Sequence, residues 1–369
     1  MRKTAITLLL PLMVFIVLAG HQLDLPGLHN DEAQEAGLPA LQIVRGGPVT
    51  SFRQVGLGAR QYPLMVQDYI GAINVYLVAP FVAVLGPSVL SIRLPSLLLG
   101  VATLITSFGF ASVVWNRRTA LVAVVLMAIN PSFVFWSRQG ILIASITLTL
   151  TVGLMWVGFH WAAHGGWRWT LSAGFLAGLG IYSKLLFVWV VLGMTATVLV
   201  FNLPLFWRRG WNLWPRRPTL LEVSTAVVGI LVGLLPLLVY NLISGGTFLA
   251  EREAVISNEY GAIGNLVGRL DHLRAVLTGR NHLWYLGGSS ANMLWEPTLV
   301  LSCLVILIVA AVGRPGARRG LALLLTLFFG LLQVPFTPTV SGPFPHHFAV
   351  FSPLWILLVA VAFDSGLWA

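Results

Sequence analysis

The sequence predicts an all-α polytopic membrane protein, a bundle of about ten transmembrane helices that forms a single domain over residues 1–369. Hydrophobic residues make up 57% of the chain and charged residues 9%, so the polar surface that a soluble protein of this length needs is missing. Apolar runs of about 20 residues recur along the chain, and this is the length that a helix needs to cross roughly 30 Å of hydrocarbon. A transmembrane β-barrel would show short alternating segments instead.

The net charge of +10 indicates membrane topology and not nucleic-acid binding, because the basic residues occur in short clusters between apolar runs. The single cysteine, Cys303, excludes an intramolecular disulfide and a cysteine-based metal cluster. The first 20 residues have the charged start and apolar core of a signal peptide, and we interpret them as an uncleaved first span.

The apolar runs predict ten spans, at residues 5–21, 94–114, 119–137, 141–162, 169–184, 186–203, 219–242, 298–313, 321–337 and 347–363. A further apolar stretch, residues 63–86, is also long enough to cross the membrane. It carries Asp68, Asn74 and Pro80, which suit an element that lies on the membrane surface against protein.

The positions of the basic residues decide between these two courses of residues 63–86. If this stretch does not cross, 12 of the 22 basic residues fall in short loops on one side, including the pairs Arg117–Arg118, Arg208–Arg209 and Arg318–Arg319. A bias of Lys and Arg in short loops marks the cytoplasmic side. We therefore predict that both chain ends are cytoplasmic and that residues 63–86 lie along the outer face.

This topology gives two long outer loops. The first, at 22–92, is expected to contain juxtamembrane helices, and the second is at 243–297. The second loop contains a predicted amphipathic helix at 263–277, because leucines recur there at spacings of three or four residues, namely Leu266, Leu270, Leu273 and Leu277.

The segment LHNDEAQEA, residues 28–36, follows the first predicted span and contains the carboxylates Asp31, Glu32 and Glu35. These three are a quarter of the 12 acidic residues in the chain. One interpretation is a surface helix with Asn30 as its N-cap, since the helix dipole favours acids in the first turn. The other is a reactive site at the edge of the membrane. From this segment alone, both interpretations stay open.

Several motifs follow the acidic segment in order: Tyr62-Pro63-Leu64, LGPSVLSIRLPSLLLG at 85–100, INPSFVFWSR at 129–138, GFLAGLGIYSK at 174–184 and HHFAVFSPLWILLVA at 346–360. This ordered set resembles the C-type glycosyltransferases that use polyprenyl-phosphate sugars, in particular the protein O-mannosyltransferases and the lipid A aminoarabinose transferases. The resemblance covers residues 5–200 well and the rest loosely. It implies an inverting glycosyltransferase in a prokaryotic plasma membrane, with its active site on the periplasmic or extracellular side.

In that family an aspartate at the start of the first outer loop is catalytic, and Asp31 occupies the matching position. A positioned carboxylate can accept the proton of an acceptor hydroxyl as the oxygen attacks the anomeric carbon. Glu32 is the second catalytic candidate. Together with Glu35 it would tune the pKa of Asp31 through like charge, or help to hold a divalent cation.

Three isolated cations at the outer ends of spans, Arg93, Arg138 and Lys184, are candidates for binding the donor phosphate. A cation at such a depth is costly and therefore suggests a function, and the leaving phosphate needs positive groups placed in advance. The alternative is snorkelling of the long side chains toward the headgroups.

Further candidates for contact with substrate or metal are His346, His347 and Asp68. The adjacent histidines lie close to the last span, where the family often has a basic or histidine residue. Asp68 interrupts an apolar element and needs a partner, so we expect it to face Arg93 or a cation.

Two departures from the aminoarabinose transferases put a metal-dependent mechanism in doubt. Gln61 stands where those proteins carry a metal-binding glutamate, and the stretch SRQGILIAS has no acid. An alternative function is therefore a catalytically inactive scaffold subunit of a larger membrane complex.

For the enzyme, the resemblance implies three kinds of partner: a polyprenyl-phosphate sugar, an acceptor that is a glycan, lipid or protein, and membrane lipids. No nucleic acid is expected, and membership of a protein complex stays open.

Overall fold

The computed structural model describes residues 2–140, 144–203, 218–244, 246, 261–277, 294–313, 317–334 and 345–367. Most of them are helical, which confirms the predicted all-α polytopic class. The basic pairs Arg208–Arg209 and Arg216–Arg217, together with Arg314 and most of the loop at 243–297, lie outside the described residues.

The first part of the chain combines one long helix with a folded outer segment. Helix α1 is Arg2–Gly20, and the outer segment contains α2 (Asn30–Glu32), a π-helical turn (Ala33–Gly37), α3 (Leu38–Arg45), the strands β1 (Arg53–Leu57), β2 (Arg60–Gln67) and β3 (Ile70–Gly71), and α4 (Ile73–Leu85). The bundle continues with α5 (Val89–Val114), α6 (Arg117–Ile129), α7 (Pro131–Arg138), α8 (Ala144–His164), α9 (Trp167–Ser183) and α10 (Val188–Phe201). The last helices are α11 (Leu220–Ser244), α12 (Gly261–Leu277), α13 (Trp295–Ala311), α14 (Ala317–Leu332), α15 (Pro345–Phe348) and α16 (Ser352–Leu367).

Each of the ten predicted spans coincides with a helix, or with the bent pair α6 and α7. Among the described residues, four helical segments are long and apolar enough to cross a membrane: Val89–Val114, Ala144–His164, Leu220–Ser244 and His346–Ser365. The pair α6–α7, bent by 66° where Pro131 follows Asn130, makes a fifth if it is one span. Of the other predicted spans, three contain shorter apolar helices, at Leu8–Gly20, Leu185–Phe201 and Trp295–Ala311, and the total number of spans stays a prediction.

A small antiparallel sheet in the first outer loop was not expected from the sequence. Its strands run in the order β1-β2-β3, and a two-residue turn joins β1 to β2 between Leu57 and Arg60. Gly58 in this turn has φ +62°, a left-handed conformation that glycine adopts without strain. The predicted surface element at 63–86 is therefore divided between two strands and α4.

The stretch at 63–86 returns to the end of the bundle from which it started. The Asn74 side chain near the start of α4 donates to the Gly140 carbonyl at 3.2 Å. Arg93, in the first turns of α5, pairs with Glu32, and Glu32 also accepts from the Gly140 backbone N–H at 2.9 Å. The chain therefore reaches the surroundings of Gly140 both before and after α4, and α4 does not cross the bundle.

Helices α9 and α11 are packed with their backbones in close contact. Gly174 and Gly178 on α9 are four residues apart, as are Gly229 and Gly233 on α11. A Cβ atom added at Gly174 would overlap the carbonyl of Ala226, and one added at Gly229 would overlap the carbonyl of Leu171. This is the small-residue spacing by which membrane helices approach each other closely.

The predicted amphipathic helix of the second outer loop is present as α12, but its buried face differs from the predicted one. Val276 is fully buried, and Leu273 and Leu277 pack on the core, whereas Leu270 is half exposed. Arg269 takes part in the buried face instead and donates to the carbonyl of Val334. The side chain of Leu266 lies outside the described residues.

Candidate functional site

The acidic segment begins with a capping box in which His29, and not the predicted Asn30, is the N-cap of α2. The His29 Nδ1 atom accepts from the backbone N–H of Asp31 at 3.2 Å. The Glu32 Oε2 atom in turn accepts from the backbone N–H of His29 at 2.8 Å. This reciprocal pair fixes the start of the helix and therefore the direction of each carboxylate.

Glu32 and Arg93 form a buried, bidentate ion pair. The Arg93 Nε and Nη2 atoms donate to the two carboxylate oxygens of Glu32 at 2.9 Å and 2.7 Å. The exposed fraction of the side chain is 1% for Arg93 and 0% for Glu32. Such parallel hydrogen bonds between a guanidinium and a carboxylate are the strong form of this interaction.

The remaining donors of Arg93 bind backbone carbonyls of the chain that follows α1. Nη1 donates to Leu23 at 2.9 Å and to Leu25 at 3.0 Å, and Nη2 also donates to Gly27. All five N–H groups of Arg93 are therefore used inside the protein.

These contacts bear on two predicted assignments. All N–H donors of Arg93 are engaged within the protein, so we do not include Arg93 among the groups proposed below to bind the donor phosphate. Glu32 accepts four hydrogen bonds and is fully buried, so the proposal below does not use it as a catalytic group, and both assignments stay predictions. The pair joins α2, α5 and the turn at Gly140.

Asp31 remains accessible, in contrast to its neighbour. Its side chain is 31% exposed, and its Oδ2 atom lies 3.4 Å from His29 Nδ1. The Glu32–Arg93 pair anchors the helical turn that carries Asp31, so an accessible carboxylate is held on a rigid base.

Glu35 is the second buried acid of the segment and lies in the π-helical turn. Its Oε1 atom accepts from the side-chain amide of Gln67, and its Oε2 atom has no hydrogen-bond donor among the described residues. Burial, and next the charge of Asp31, raise the pKa of Glu35 to about 8, while Lys184 and the Gln67 hydrogen bond oppose the rise. Glu35 is therefore mostly protonated and neutral at pH 7.

Lys184 is buried beside these two acids. It follows the last residue of α9, forms a β-bridge with Ile70 of the outer sheet and is 4% exposed. The next residue, Leu185, donates its backbone N–H to the carbonyl of Tyr69 at 3.0 Å. Lys184 interacts electrostatically with Asp31 and Glu35, and this burial contradicts the snorkelling alternative.

Asp68 does not contact Arg93, the first of the two partners expected for it, and its contact with another cation stays a prediction. It lies in the turn between β2 and β3, and Arg93 uses its donors elsewhere. Burial raises the pKa of Asp68, while hydrogen bonds from its own backbone N–H and that of Tyr69 oppose the rise.

His346 and His347 lie in the buried interior near the same group. Their rings are 4.1 Å apart, His346 packs 6.0 Å from Trp136, and His347 packs 6.2 Å from Tyr69. Both histidines interact electrostatically with Lys184. The structure thus brings them to the end of the bundle that carries Asp31, as the sequence predicted.

Arg138, the last residue of α7, is bound to the chain that follows α1. Its Nη2 atom donates to the carbonyls of His21 at 2.8 Å and Gln22 at 2.6 Å. Among the described residues, its Nη1 atom has no hydrogen-bond acceptor, so this arginine keeps donors for a ligand.

The described residues do not present a set of metal ligands. No group of three or more His, Cys, Asp and Glu side chains lies close enough together there to hold a metal ion. Glu32 is committed to Arg93, which leaves Asp31 and Glu35 as the carboxylates of this cluster. We therefore derive no step through a metal ion.

Sequence reasoning missed Gln67 and Tyr182. Gln67 holds Glu35, and Tyr182 donates to the Leu64 carbonyl at 3.0 Å and accepts from the Ala72 backbone N–H at 3.1 Å, which fixes the sheet against α9. A strand pattern at 60–67 would have been the signal, since the two buried residues of RQYPLMVQ, Pro63 and Met65, are two positions apart.

Comparison with known proteins supports the resemblance seen in the sequence. Residues 73–242 match the family model described as dolichyl-phosphate-mannose-protein mannosyltransferase. No curated protein sequence matches the chain significantly.

Solved structures of two C-type glycosyltransferases have the same fold. ArnT from Cupriavidus metallidurans bound to undecaprenyl phosphate is 15% identical with a TM-score of 0.62, over 98% of this chain and 60% of that one. The same protein in the apo state is 14% identical with a TM-score of 0.59, over the same shares of the two chains. The archaeal oligosaccharyltransferase AglB from Archaeoglobus fulgidus, in complex with an inhibitory peptide and a dolichol-phosphate, is 16% identical with a TM-score of 0.53, over 98% of this chain and 50% of that one.

These comparisons confirm the recognition of a C-type glycosyltransferase fold. The chain spans about 60% of the length of the ArnT structures that it matches.

Proposed function

We propose that this chain is a glycosyltransferase that moves a sugar from a polyprenyl-phosphate donor to an acceptor, with inversion at the anomeric carbon. The observation that carries the proposal is that an accessible carboxylate, Asp31, and a buried lysine, Lys184, lie close enough to interact electrostatically at one end of an apolar helical bundle. The match of residues 73–242 to the mannosyltransferase model supports the reaction class. The undecaprenyl phosphate bound to ArnT supports the class of donor.

Asp31 is proposed as the general base. As the oxygen of the acceptor hydroxyl attacks the anomeric carbon, its proton moves to a carboxylate oxygen of Asp31. The bond between the anomeric carbon and the phosphate oxygen breaks, and its electron pair leaves with the polyprenyl phosphate. A single displacement of this kind inverts the configuration at the anomeric carbon.

Lys184 and Arg138 are proposed to hold the donor phosphate. The phosphate gains negative charge as it leaves, so cations fixed in advance lower the barrier. Lys184 is suited to this task because burial limits its screening by water, and Arg138 because its Nη1 donors have no acceptor among the described residues.

Glu35 is proposed to set the charge balance between these groups. Because its pKa is raised to about 8, it is mostly neutral at pH 7 and adds no second negative charge beside Asp31. A neutral Glu35 forms no ion pair with Lys184, so Asp31 is the charged carboxylate of the segment that acts on this lysine. Asp68, His346 and His347 are proposed to line the space for the sugar and the phosphate around this core.

The reaction is proposed to take place at the outer face of a prokaryotic plasma membrane. The short-loop basic residues support this orientation, because those described at 117–118, 168 and 318–319 belong to the end of the bundle opposite Asp31.

The test is transfer of radiolabelled sugar from a polyprenyl-phosphate donor by the purified wild type and by Asp31→Asn. The matched control is Asp24→Asn, because Asp24 is an exposed acid in the same loop. We expect transfer by the wild type and the control, and a loss of about 100-fold or more in Asp31→Asn. Full transfer by Asp31→Asn would eliminate Asp31 as the base.

A catalytically inactive scaffold subunit is the second candidate function. The buried ion pair between Glu32 and Arg93 favours it, because each residue is the partner of the other. Two of the five residues predicted for catalysis or phosphate binding are thus engaged with each other and with the backbone in this structure. Absence of transfer by the wild type across a panel of polyprenyl-phosphate sugars, together with co-purification of stoichiometric partner proteins, would support this alternative.

A further inference from the structure

A cavity of about 490 Å³ lies at the end of the bundle opposite Asp31, between α5, α8, α10 and α14. Its volume is within the range of roughly 300–1,000 Å³ that is typical of sites for organic ligands. The proposed transfer reaction makes no use of it, because none of its lining residues belongs to the site around Asp31.

The inner part of the cavity is apolar. Phe110 of α5, Met155 of α8 and Met194 of α10 line it, and Leu323 lies on α14. These residues are separated from the helix ends by about one turn or more, so they lie toward the middle of the bundle. Thr197 and Thr326 also line the cavity, but their hydroxyls donate to the carbonyls of Gly193 and Ala322 in their own helices at 2.9 Å each. Walls that are mostly apolar fit a hydrocarbon chain better than a soluble polar ligand.

The outer part of the cavity is basic. Arg318 and Arg319 line it from the first turn of α14, next to the ends of the neighbouring helices. The guanidinium of Arg319 lies 5.9 Å from the centre of the Phe159 ring and donates through Nη1 to the carbonyl of Val114. Its position is therefore fixed, while its Nε and Nη2 donors have no acceptor among the described residues.

The carboxylates at this end are engaged by other groups. Asp364 accepts from the side chains of Asn116 at 2.7 Å and Thr119 at 2.8 Å. Glu222 accepts from the backbone N–H of Gly166 at 2.6 Å and from the indole of Trp161 at 3.2 Å. Within the described residues, Arg319 has no carboxylate partner, so its guanidinium can bind an anionic group of a ligand in the cavity.

We propose that this cavity binds an anionic glycerophospholipid of the membrane leaflet on the side opposite Asp31. One acyl chain lies between the apolar walls, and the headgroup phosphate is bound by Arg318 and Arg319. Basic pockets between transmembrane helices recognise lipid headgroups in this way, and the arginine fork matches the phosphate oxygens. The combination of a hydrocarbon-lined interior and two arginines selects a charged lipid over both a free anion and a zwitterionic lipid.

The test is native mass spectrometry of the full chain titrated with phosphatidylglycerol or phosphatidylcholine of the same acyl length. We expect the wild type to bind one phosphatidylglycerol with preference, and Arg318→Gln/Arg319→Gln to weaken that binding roughly tenfold or more. Arg117→Gln/Arg118→Gln is the matched control, because these two arginines lie at the same end outside the cavity and leave binding unchanged.

A second variant tests lipid binding without removing the hydrogen bond between Arg319 and the carbonyl of Val114. Ala322→Leu keeps both arginines and fills part of the cavity, so it is expected to weaken phosphatidylglycerol binding without a change of charge. The proposal would be overturned if the wild type bound the two phospholipids with equal affinity, or if the two double variants lost phosphatidylglycerol binding equally. Unchanged phosphatidylglycerol binding by Ala322→Leu would also overturn it. Displacement of phosphatidylglycerol by an equimolar polyprenyl phosphate would also overturn it, since the occupant would then be the carrier lipid.

Discussion

Glu32 and Arg93 are 61 residues apart in the chain, yet the carboxylate and the guanidinium meet at 2.7 Å in a site where both are buried. The contact links the helical turn that carries Asp31 to the first turns of α5. Because Arg93 also binds the carbonyls of Leu23, Leu25 and Gly27, one side chain fixes the path of the outer segment above the bundle.

Removing one partner of this pair is expected to destabilise the protein strongly. Glu32→Gln leaves a buried guanidinium without its counter-charge, which costs about 3–5 kcal/mol. The control is Glu296→Gln, because Glu296 pairs with Arg274 at 3.0 Å with both side chains well exposed. Exposed pairs contribute about 1 kcal/mol or less, so the melting temperature in detergent is expected to fall for Glu32→Gln and to change little for the control. Equal melting temperatures for the two variants would show that the buried pair is not a structural anchor.

Much of the candidate site was predictable, because successive membrane spans run in opposite directions. Every second connection between them therefore lies at the same end of the bundle. Asp31 follows the end of α1, Arg138 ends α7 and Lys184 follows α9, so the topology alone places them together. The prediction also placed His346 correctly at this end.

The roles of the two adjacent acids were not predictable. Successive residues of a helix point about 100° apart, so only one of Asp31 and Glu32 can face α5. The choice depends on where the helix begins, and that is fixed by the His29 capping box. Asn30 is the more usual N-cap residue type, so the sequence favoured a start one residue later.

The burial of Lys184 depends on an element that the sequence did not indicate. Residues 60–71 form strands that cover the end of α9 through the Ile70–Lys184 bridge. In the sequence this stretch is part of an apolar run that also suits a helix, and local composition does not decide between them.

Lys184 is expected to matter for transfer more than for folding. Lys184→Gln removes the buried cation, and we expect the transfer rate to fall about 100-fold or more through loss of charge at the leaving phosphate. Arg53→Gln, in the exposed hairpin of the same outer segment, is the control and should transfer at the wild-type rate. Sugar transfer and donor binding are measured together in both variants. A Lys184→Gln protein with the wild-type rate would exclude Lys184 from phosphate binding.

The stability of the protein is expected to depend on pH through Glu35. Its pKa is raised from 4.5 to about 8 by burial, so between these pH values the native state retains a proton that the unfolded chain has released. The contribution of Glu35 to the free energy of unfolding is therefore greatest below pH 4.5 and falls as the pH rises. This contribution is lost once the pH has passed about 8.

Glu35→Gln is expected to remove this dependence, because the amide mimics the neutral acid at every pH. Melting temperatures measured from pH 5 to pH 9 should converge for wild type and variant at the acidic end, and the variant should melt higher at the basic end. Each unit of pKa shift corresponds to roughly 1.4 kcal/mol, so the difference is measurable. Parallel curves for the two proteins would mean that Glu35 does not titrate in this range.

The contact between α9 and α11 is expected to tolerate no side chain larger than hydrogen at its centre. Gly229→Ala places a Cβ atom against the carbonyl of Leu171 and 2.7 Å from the backbone nitrogen of Phe175, and backbone atoms do not move aside as a flexible side chain does. We expect a loss of about 1–3 kcal/mol and a lower melting temperature in detergent. Gly268→Ala is the control, because nothing lies within 4 Å of a Cβ atom at that position and alanine is the better helix former. If both variants melt like the wild type, these two helices do not pack through their glycines.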